Sequence, residues 1–487
     1  MAKSIKENFI YNTINVVSGL LFPLITFPYV SRVIMAEGIG QVQFFSSFIN
    51  YIVLLTSIGI PMYAIREIAR VRDDNRELSK TTVEIITLNL LLNALGYIIV
   101  AILCFTVAKI QVDIPLFLLL STSIVLTTIG CPWFYSGIED FKYITIRGLI
   151  IRVISVAFLF IAVKTPDDLM YYGAYSVIAN IGNYVLNFIR LKRYVNLRTI
   201  DLSLFNPWRH FKPAMAIFVF NIVTSIYCNL DSIMLGALNT TESVGYYTAA
   251  TRLSHMLVTL VTSLGAVMLP RLSNLVNNGQ QQEFYRLANK SYRFILMLSF
   301  PICMGLIFIA PALIRVFSGD SFQPAILTLQ LMAPIVVAIG ISNLIGIQVL
   351  YPLGKIKLVT ISTCVGAACN FTLNCVLIPI YAQNGAAVAT AVAEVSVVAT
   401  QLIIARKYIP FKSIDSDTLK YILCSIIMGC ACYFVRDIIK GDLASLIITT
   451  FVSIIVYGSM LLILKDKIVL EALGIVRNKI QKSKFWQ

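Results

Sequence analysis

The chain has 487 residues, of which 58% are hydrophobic and 13% are charged, and its mean hydropathy is +0.82. Soluble domains carry roughly 25% charged residues, and a single soluble core stops growing near ~250 to 300 residues, so a water-soluble globular protein is excluded. Apolar runs of about 20 residues, each long enough to cross ~30 Å of hydrocarbon as a helix, recur along the chain. The net charge of +15 would also fit a nucleic-acid binder, and the placement of the basic residues decides between the two.

The apolar runs predict fourteen transmembrane helices joined by short connections. In chain order the predicted spans are 10–35, 39–62, 82–108, 114–138, 144–163, 169–190, 213–238, 244–268, 294–316, 324–350, 358–380, 385–405, 419–438 and 443–464. We therefore predict an all-α polytopic membrane protein. The first span lacks a small-residue cleavage site, so we expect it to be retained rather than removed as a signal peptide.

The basic residues are concentrated on one side of the predicted membrane. If the N-terminus lies inside, thirty-one of the 39 Lys and Arg residues fall in or next to the inside connections. Six fall outside: Arg32, Lys109, Lys164, Arg315, Arg436 and Lys440. This asymmetry follows the positive-inside rule. We therefore predict cytoplasmic termini, an even number of crossings and no nucleic-acid partner.

The chain offers little catalytic machinery. A Walker loop is absent, because Gly354-Lys355 is followed by Ile356 and no glycine lies five residues before Gly354. The chain has two histidines and few carboxylates inside the spans, so it offers few side chains for acid–base or nucleophilic catalysis. The ten cysteines lie inside spans without the paired spacing of a metal site. We predict a transporter, not an enzyme, with no cofactor and no metal.

The sequence also repeats itself with an offset of roughly 210 residues. Residues 37–41, EGIGQ, at the first outer turn resemble residues 242–246, ESVGY. Six crossings per half would give both halves one orientation, the parallel-repeat plan of alternating-access carriers. The predicted domains are an N-terminal six-helix lobe at 1–210, a C-terminal six-helix lobe at 211–410, an added helix pair at 411–464 and an amphipathic interfacial tail at 465–487 that is not essential.

Polar side chains inside the spans recur at helical spacing. These side chains form a polar stripe along one face of each helix. The stripe of the second span includes Asn50, the stripe of the seventh span includes Asn221 and Asp231, and the stripe of the eighth span includes Arg252 and His255. A polar group that faces lipid is costly, so the stripes should face protein or a water-filled cavity. For uncharged members, hydrogen bonds between helices explain the stripes as well as a cavity does.

Charged side chains at membrane depth need a partner, a cavity or a function, since an arginine near the bilayer centre costs about 2.5 to 3.5 kcal/mol on insertion scales. Asp231 and Arg252 are predicted at similar depth and form either a structural ion pair or part of a substrate or gating site. Arg152 and Glu394, both in mid-span, leave the same two interpretations open. Arg32, near an outer end, is either a site residue or a side chain that extends its charge to the interface.

Several segments resemble a known family. The stretch 227–236, YCNLDSIMLG, and the stretch 244–253, VGYYTAATRL, resemble spans seven and eight of bacterial polysaccharide flippases. So do AIREIA at 64–69, MLPR at 268–271 and GAAVAT at 385–390. The chain thus resembles the polysaccharide transport branch of the multidrug/oligosaccharidyl-lipid/polysaccharide exporter superfamily, which includes O-antigen and capsule repeat-unit flippases.

That resemblance implies a V-shaped pair of lobes and a flippase that moves an undecaprenyl-diphosphate-linked oligosaccharide from the inner to the outer leaflet of the bacterial cytoplasmic membrane by alternating access. It supports Asp231 and Arg252 as cavity residues, and Arg66, with Arg271 of the MLPR segment, as gating residues on the cytoplasmic side. The expected ligands are the lipid-linked oligosaccharide and membrane lipids, and the expected protein partners are a polysaccharide polymerase and assembly proteins.

The residues themselves suit that task, because the planar guanidinium binds phosphate oxygens in pairs and keeps its proton. Our hypothesis is that Arg252, with Arg32 and Arg152, binds the diphosphate, while Asn and Ser side chains and the aromatic rings of Tyr246 and Tyr247 contact the sugars. On the same hypothesis the carboxylate at position 231 releases the guanidinium at position 252 when substrate arrives. His255 is either a further site residue or a polar packing residue.

Two other functions stay open at this point. A multidrug exporter of the same superfamily would bind cations through Asp231 and Glu394, but the intramembrane arginines oppose that choice. A membrane glycosyltransferase or polymerase would need a large outer loop with paired acids, and the predicted outer connections are short.

Overall fold

A computed structural model describes residues 5–197, 201, 203, 205–409, 411, 415–436, 438–471 and 474, with the side chains at 5, 6, 8, 9, 12, 20, 216, 219–228 and 266 left out. The predicted all-α class is confirmed, since no strand occurs in these residues. The chain divides into two compact units, Met1–Thr248 and Ala249–Gln487. The boundary between the two units lies inside one helix, Thr241–Asn277.

Ten helices and the start of an eleventh occupy the described part of the first unit. They are α1 (Ile5–Val33), α2 (Met35–Ser57), α3 (Ile60–Val71), α4 (Asn75–Thr106), α5 (Ala108–Gln111), α6 (Ile114–Ile129), α7 (Pro132–Gly137), α8 (Phe141–Ala162), α9 (Leu169–Leu191), α10 (Phe211–Leu238) and α11 (Thr241–Asn277), with a 3₁₀ turn at Pro207–His210 before α10. Helix α2 packs against α4, α6 and α10, and α8 packs between α1 and α9.

Aspartates begin two of these helices. The Asp74 carboxylate accepts hydrogen bonds from the backbone N–H groups of Arg76 (2.9 Å) and Glu77 (3.2 Å) at the start of α4. At the start of α6, the Asp113 carboxylate accepts one from the Leu116 N–H (3.1 Å). Each carboxylate satisfies backbone donors that have no partner inside the helix. The two caps therefore fix where these spans begin.

Between α2 and α3 the chain turns through Ile58 and Gly59, whose φ angles are 38° and 68°. A Cβ atom at position 59 would lie 2.5 Å from the carbonyl oxygen of Ala214 in α10. Glycine is therefore required at position 59 for two reasons: the backbone is left-handed there, and α10 approaches too closely for a side chain. This turn ends the second predicted span at residue 57, short of its predicted end at 62.

The described helices of the second unit, after α11, follow in chain order. They are α12 (Gln281–Ser318), α13 (Ala325–Met332), α14 (Ile335–Asn343), a π-helix (Leu344–Leu350), α15 (Ile356–Ile404), α16 (Ser416–Arg436) and α17 (Asp442–Ile463), with a 3₁₀ turn at Asp320–Phe322. Helix α12 lies at the centre and packs against α13, α14, α16 and α17, while α15 packs against α13 and α14.

Helix α15 is continuous in hydrogen bonding but contains a sharp break. Ala382 has φ 48° and ψ −130°, which is non-helical. A Cβ atom on Gly385 would lie 2.3 Å from the carbonyl oxygen of Leu377, whereas eight residues of straight helix would separate those positions by ~12 Å. The chain therefore folds back here, between the predicted spans 358–380 and 385–405.

Eleven of the described helices are long and apolar enough to cross a membrane, so a multi-pass membrane protein is confirmed. Each predicted span overlaps a described helix. The count is lower than fourteen because α15 covers two predicted spans, and because α9 and α10 are not among the eleven. The number of crossings and the repeat arrangement stay predictions.

Candidate functional site

The predicted site residues fall in both units. In the first unit lie Arg32, Asn50, Arg66, Arg152, Asp231, Tyr246 and Tyr247, and in the second lie Arg252, His255, Arg271 and Glu394. The side chain of Asn221 lies outside the described part of the chain. Asp231 and Arg252 belong to different units, so their pairing stays a prediction.

Asp231 is buried in α10 and is bound by a tyrosine of the next helix. The Tyr247 hydroxyl donates a hydrogen bond of 2.5 Å to the Asp231 carboxylate, and the two residues are 8% and 3% exposed. A hydrogen bond to a carboxylate is roughly twice as strong as one between neutral groups. The bond therefore ties the end of α10 to the start of α11, and it gives the hydroxyl of Tyr247 an intramembrane partner.

Asn50 lines a cavity of about 340 Å³ in the first unit. The cavity lies between α2, the start of α3 and α10, and its other lining side chains with polar groups are Tyr51, Ser57 and Asn229. Apolar side chains, among them Phe218, form the rest of the wall. A cavity with a few amide and hydroxyl groups on apolar walls has the composition of a small-molecule site. The stripe of the second span therefore faces a cavity at this position.

Arg152 points from α8 onto the polar side of α1. Its guanidinium donates hydrogen bonds to the carbonyl oxygen of Asn15 (3.1 Å) and to the Ser18 hydroxyl. A Cβ atom on Gly19 would lie 3.4 Å from the same guanidinium. In the part of the chain that the structure describes, Arg152 has no carboxylate partner. Its positive charge is therefore solvated by neutral groups only, at membrane depth.

Arg32 and Tyr246 both have local partners near the predicted outer ends of their helices. Arg32 is exposed and donates a 2.5 Å hydrogen bond to the Pro28 carbonyl one turn earlier in α1. The Tyr246 hydroxyl donates to the Glu242 carboxylate (2.6 Å), and Tyr246 is half-buried. Both interpretations of Arg32 stay open, because its exposed charge fits either an interfacial or a ligand-binding role.

In the second unit the predicted residues lie on two helices. Arg252 and His255 are both exposed, and their spacing of three residues puts them on one face of α11. Glu394 is half-buried on α15. An exposed cation on a helix that crosses a membrane faces a polar environment or extends to the interface.

The two predicted gating residues lie at exposed positions. The Arg66 guanidinium is 3.2 Å from the Glu67 carboxylate and 5.7 Å from the centre of the Tyr63 ring. Arg271 is exposed and lines a second cavity, described below. Neither geometry tests a gating function, which stays a prediction.

The repeated EGIGQ and ESVGY segments contact each other directly, which the sequence did not predict. A Cβ atom on Gly40 in α2 would lie 1.7 Å from the Thr241 carbonyl oxygen, and one on Gly245 in α11 would lie 1.9 Å from the Ala36 carbonyl oxygen. These two glycines occupy the same position of the repeated segment. We call this backbone-to-backbone contact the glycine seam. The contact is reciprocal, because each glycine lies against a carbonyl oxygen of the other helix.

A buried carboxylate, Glu84, was also missed by the sequence analysis. Glu84 in α4 is 0% exposed and accepts hydrogen bonds from the Asn206 N–H (2.8 Å), the Arg209 guanidinium and the His210 ring. The other nitrogen of His210 lies 2.7 Å from the Tyr63 hydroxyl. We call these five residues the Glu84 cluster. It fastens the segment before α10 to α3 and α4, and a single carboxylate at the start of an apolar run was its only signal.

The Glu84 cluster should make stability depend on pH. Burial lowers the pKa of His210 below its ordinary value of 6.5, although Glu84 opposes the shift and the positive charge of Arg209 adds to it. The folded protein therefore binds fewer protons at this ring than the unfolded chain, so stability should fall as the pH drops below about 6.5. We expect His210→Gln to flatten this fall in thermal unfolding between pH 7 and 5. Parallel curves for both proteins would contradict the assignment.

One buried arginine of α8 and one half-buried arginine of α9 lie next to the Tyr143 ring of α8. Arg147 is 7% exposed, donates to the Asn187 side chain and lies 5.1 Å from the Tyr143 ring centre. Arg190 lies 3.7 Å from the same ring centre and 2.9 Å from the Asp140 carboxylate. Both belong to the thirty-one basic residues of the predicted inside connections. The structure gives them a packing role through cation–π contacts.

Within the described residues, no three His, Cys, Asp or Glu side chains are grouped so that they could hold a metal ion. Many helices that are long and apolar enough to cross a membrane, with polar side chains inside them, define a helical multi-pass membrane protein. The comparisons with known proteins agree with this class.

Residues 5–276 match the model of the family described as polysaccharide biosynthesis protein, and residues 216–376 match the MatE model. A putative O-antigen transporter of Escherichia coli K12 is 25% identical over 71% of this chain and 83% of its own length. One of Shigella dysenteriae is 25% identical over 78% of this chain and 95% of its own. The inward closed structure of a lipid II flippase, MurJ, has a TM-score of 0.74 at 18% identity and covers 94% of this chain and 100% of the other, which shows a common fold.

The chain belongs to the polysaccharide biosynthesis protein family. It is a flippase-type transporter of the multidrug/oligosaccharidyl-lipid/polysaccharide exporter superfamily, as the family resemblance in its sequence predicts.

Proposed function

We propose that this protein moves an oligosaccharide linked to undecaprenyl diphosphate from the inner to the outer leaflet of the bacterial cytoplasmic membrane, by alternating access and without ATP hydrolysis. Membership of the family and the names of the relatives, O-antigen transporter and lipid II flippase, support a lipid-linked glycan as the substrate. On this proposal both termini are cytoplasmic, and residues 1–210 and 211–410 form the two lobes that move.

The observation that carries the proposal is the environment of Arg152. Its guanidinium lies within a membrane-crossing helix and is held by Asn15 and Ser18, with no carboxylate partner among the described residues. An uncompensated cation at that depth costs free energy, and a protein retains it where it has a function. A diphosphate headgroup would supply the missing negative charge, with bidentate hydrogen bonds.

Arg252 is the second proposed ligand of the diphosphate. It is exposed on α11, three residues before His255 and five after Tyr247, whose hydroxyl binds Asp231. On this proposal the arrival of the diphosphate at Arg252 changes the electrostatic environment of Asp231 and so couples substrate occupancy to movement. The inside-negative membrane potential would favour outward movement of an anion by ~2.3 kcal/mol per charge per 100 mV.

The test is a leaflet-exchange assay with vesicles that contain only this protein and a labelled lipid-linked oligosaccharide. We expect Arg252→Glu to abolish exchange, because it replaces phosphate attraction by repulsion, and Arg252→Lys to keep part of it. Lys357→Glu makes the same charge change at an exposed helix start and should leave exchange intact. Unimpaired exchange by Arg252→Glu, in protein that inserts and unfolds like the wild type, would refute the proposal.

The same vesicles can be used to test the alternative of a cation-coupled multidrug exporter. The match of residues 216–376 to the MatE model is the observation that favours it. Export of a cationic dye without exchange of the lipid-linked oligosaccharide would replace our proposal with that alternative. Partners such as a polysaccharide polymerase remain predictions.

A further inference from the structure

A second cavity, of about 320 Å³, lies in the second unit between α11, α12 and the segment that follows α17. Three cations line it: Arg271, Arg286 and Lys290. Its apolar wall includes Leu264, Phe294 and Ile468. Both α11 and α12 are long and apolar enough to cross the membrane, and Arg271 and Arg286 are each within two turns of the helix ends that join them. The cavity therefore combines a cationic rim with an apolar wall near one end of two membrane helices.

The charges around the cavity do not cancel. Arg286 binds the Glu283 carboxylate with hydrogen bonds of 2.7 and 2.5 Å, and Lys290 binds Glu471. The Glu283 carboxylate also interacts electrostatically with Arg271. Three cations against the two carboxylates Glu283 and Glu471 leave the cavity with a net positive charge, which favours an anionic occupant.

The segment after α17 is held firmly at the cavity wall. Asp466 is 1% exposed and its carboxylate accepts hydrogen bonds from Lys420 (3.0 Å), Tyr421 (3.0 Å) and the backbone N–H of Ile468 (3.0 Å). This network places Ile468 against the cavity. The wall is therefore a fixed part of the second unit.

We propose that this cavity binds the phosphate group of an anionic membrane phospholipid, on the side that the basic connections predict to be cytoplasmic. The cationic rim binds the phosphate, and the apolar wall contacts the first methylene groups of the acyl chains. A volume of about 320 Å³ suits a headgroup rather than a whole lipid. The protein's own C-terminal residues are a poor occupant, because Arg477, Lys479 and Lys482 would add positive charge to a positive cavity. The residues proposed to bind the diphosphate, Arg32, Arg152 and Arg252, do not line this cavity.

The experiment uses the full chain in nanodiscs of phosphatidylglycerol or of zwitterionic phosphatidylcholine. Lipids that stay bound after transfer to detergent are counted by native mass spectrometry. We expect the wild type to retain phosphatidylglycerol and not phosphatidylcholine. Arg271→Gln should weaken that retention about fivefold, the equivalent of about 1 kcal/mol for one basic residue at an anionic surface, and Arg271→Lys should restore most of it.

Two controls make the result decisive. Lys357→Gln removes one exposed cation from the start of α15, outside the cavity, and should leave retention unchanged. Inorganic pyrophosphate at millimolar concentration should not displace the lipid, because it makes no contact with the apolar wall. Equal loss of lipid in Lys357→Gln, or no loss in Arg271→Gln, would overturn the site, and displacement by pyrophosphate would show that it binds a free anion instead.

Discussion

Replacing Gly245 by leucine is expected to abolish transport, because the glycine seam leaves no room for a side chain. A single Cβ atom at this position would lie 1.9 Å from the carbonyl oxygen of Ala36, and backbone cannot move aside as the end of a flexible side chain can. Overpacking of a well-packed core costs typically about 1 to 3 kcal/mol. Helices α2 and α11 must therefore separate at their first turns. Gly40→Leu should have the same effect, since its Cβ atom meets the Thr241 carbonyl oxygen.

The measurement is leaflet exchange in vesicles, combined with thiol labelling of Ala36→Cys. Ala36 is 4% exposed, so labelling should be slow in the parent and fast when Gly245→Leu opens the seam. Gly458 in α17 is the matched control, because a Cβ atom there meets nothing within 4 Å. Wild-type exchange by Gly245→Leu, or the same loss in Gly458→Leu, would show that the seam has no special function.

Replacing Glu84 by alanine should destabilise the protein by about 3 kcal/mol or more, the cost of breaking a buried ion pair by removing one partner. The carboxylate is 0% exposed and accepts hydrogen bonds from Asn206, Arg209 and His210. The His210 ring, 2% exposed, would lose its carboxylate partner without gaining water. The segment before α10 should then detach from α4.

The loss of stability is measured by unfolding the protein in detergent with heat or denaturant. Glu84→Gln keeps an acceptor for the Asn206 N–H and should lose less stability than the alanine variant. Glu77→Ala removes an exposed carboxylate from the same helix, 3.8 Å from the Lys80 ammonium, and should cost less than about 1 kcal/mol. If the alanine variants at 84 and 77 unfold alike, the Glu84 cluster is not a structural anchor.

Much of the fold follows from local sequence patterns. Every predicted span overlaps a described helix, and the break at Ala382 in α15 falls between two of them. The prediction was less accurate at the second span, where Ile58 and Gly59 turn the chain earlier. Hydropathy reports length and exposure to lipid, whereas that turn depends on the contact of Gly59 with Ala214.

The site was harder to predict. Asp231 and Arg152 were found because a charge inside an apolar run is visible in the sequence, but their partners were not. The hydrogen bond from the Tyr247 hydroxyl to Asp231 was not predicted, and the expected contact of Tyr247 with sugars stays a prediction. Arg152 donates hydrogen bonds to Asn15 and Ser18, and the sequence did not identify either residue as its partner. A stripe shows which face of a helix is polar and leaves the facing helix unknown.

The sequence by itself determined that this protein lies in a membrane, that it is all-α and which family it resembles. Hydropathy, charge placement and short motifs are properties of neighbouring residues and can be read from the sequence alone. Only the tertiary structure decided which distant groups meet. Glu84 and His210 are 126 residues apart in the chain, and the two glycines of the repeated segment touch only because α2 and α11 pack together. Such contacts depend on how the helices pack in three dimensions. The local sequence around one residue therefore does not identify the residue that it contacts.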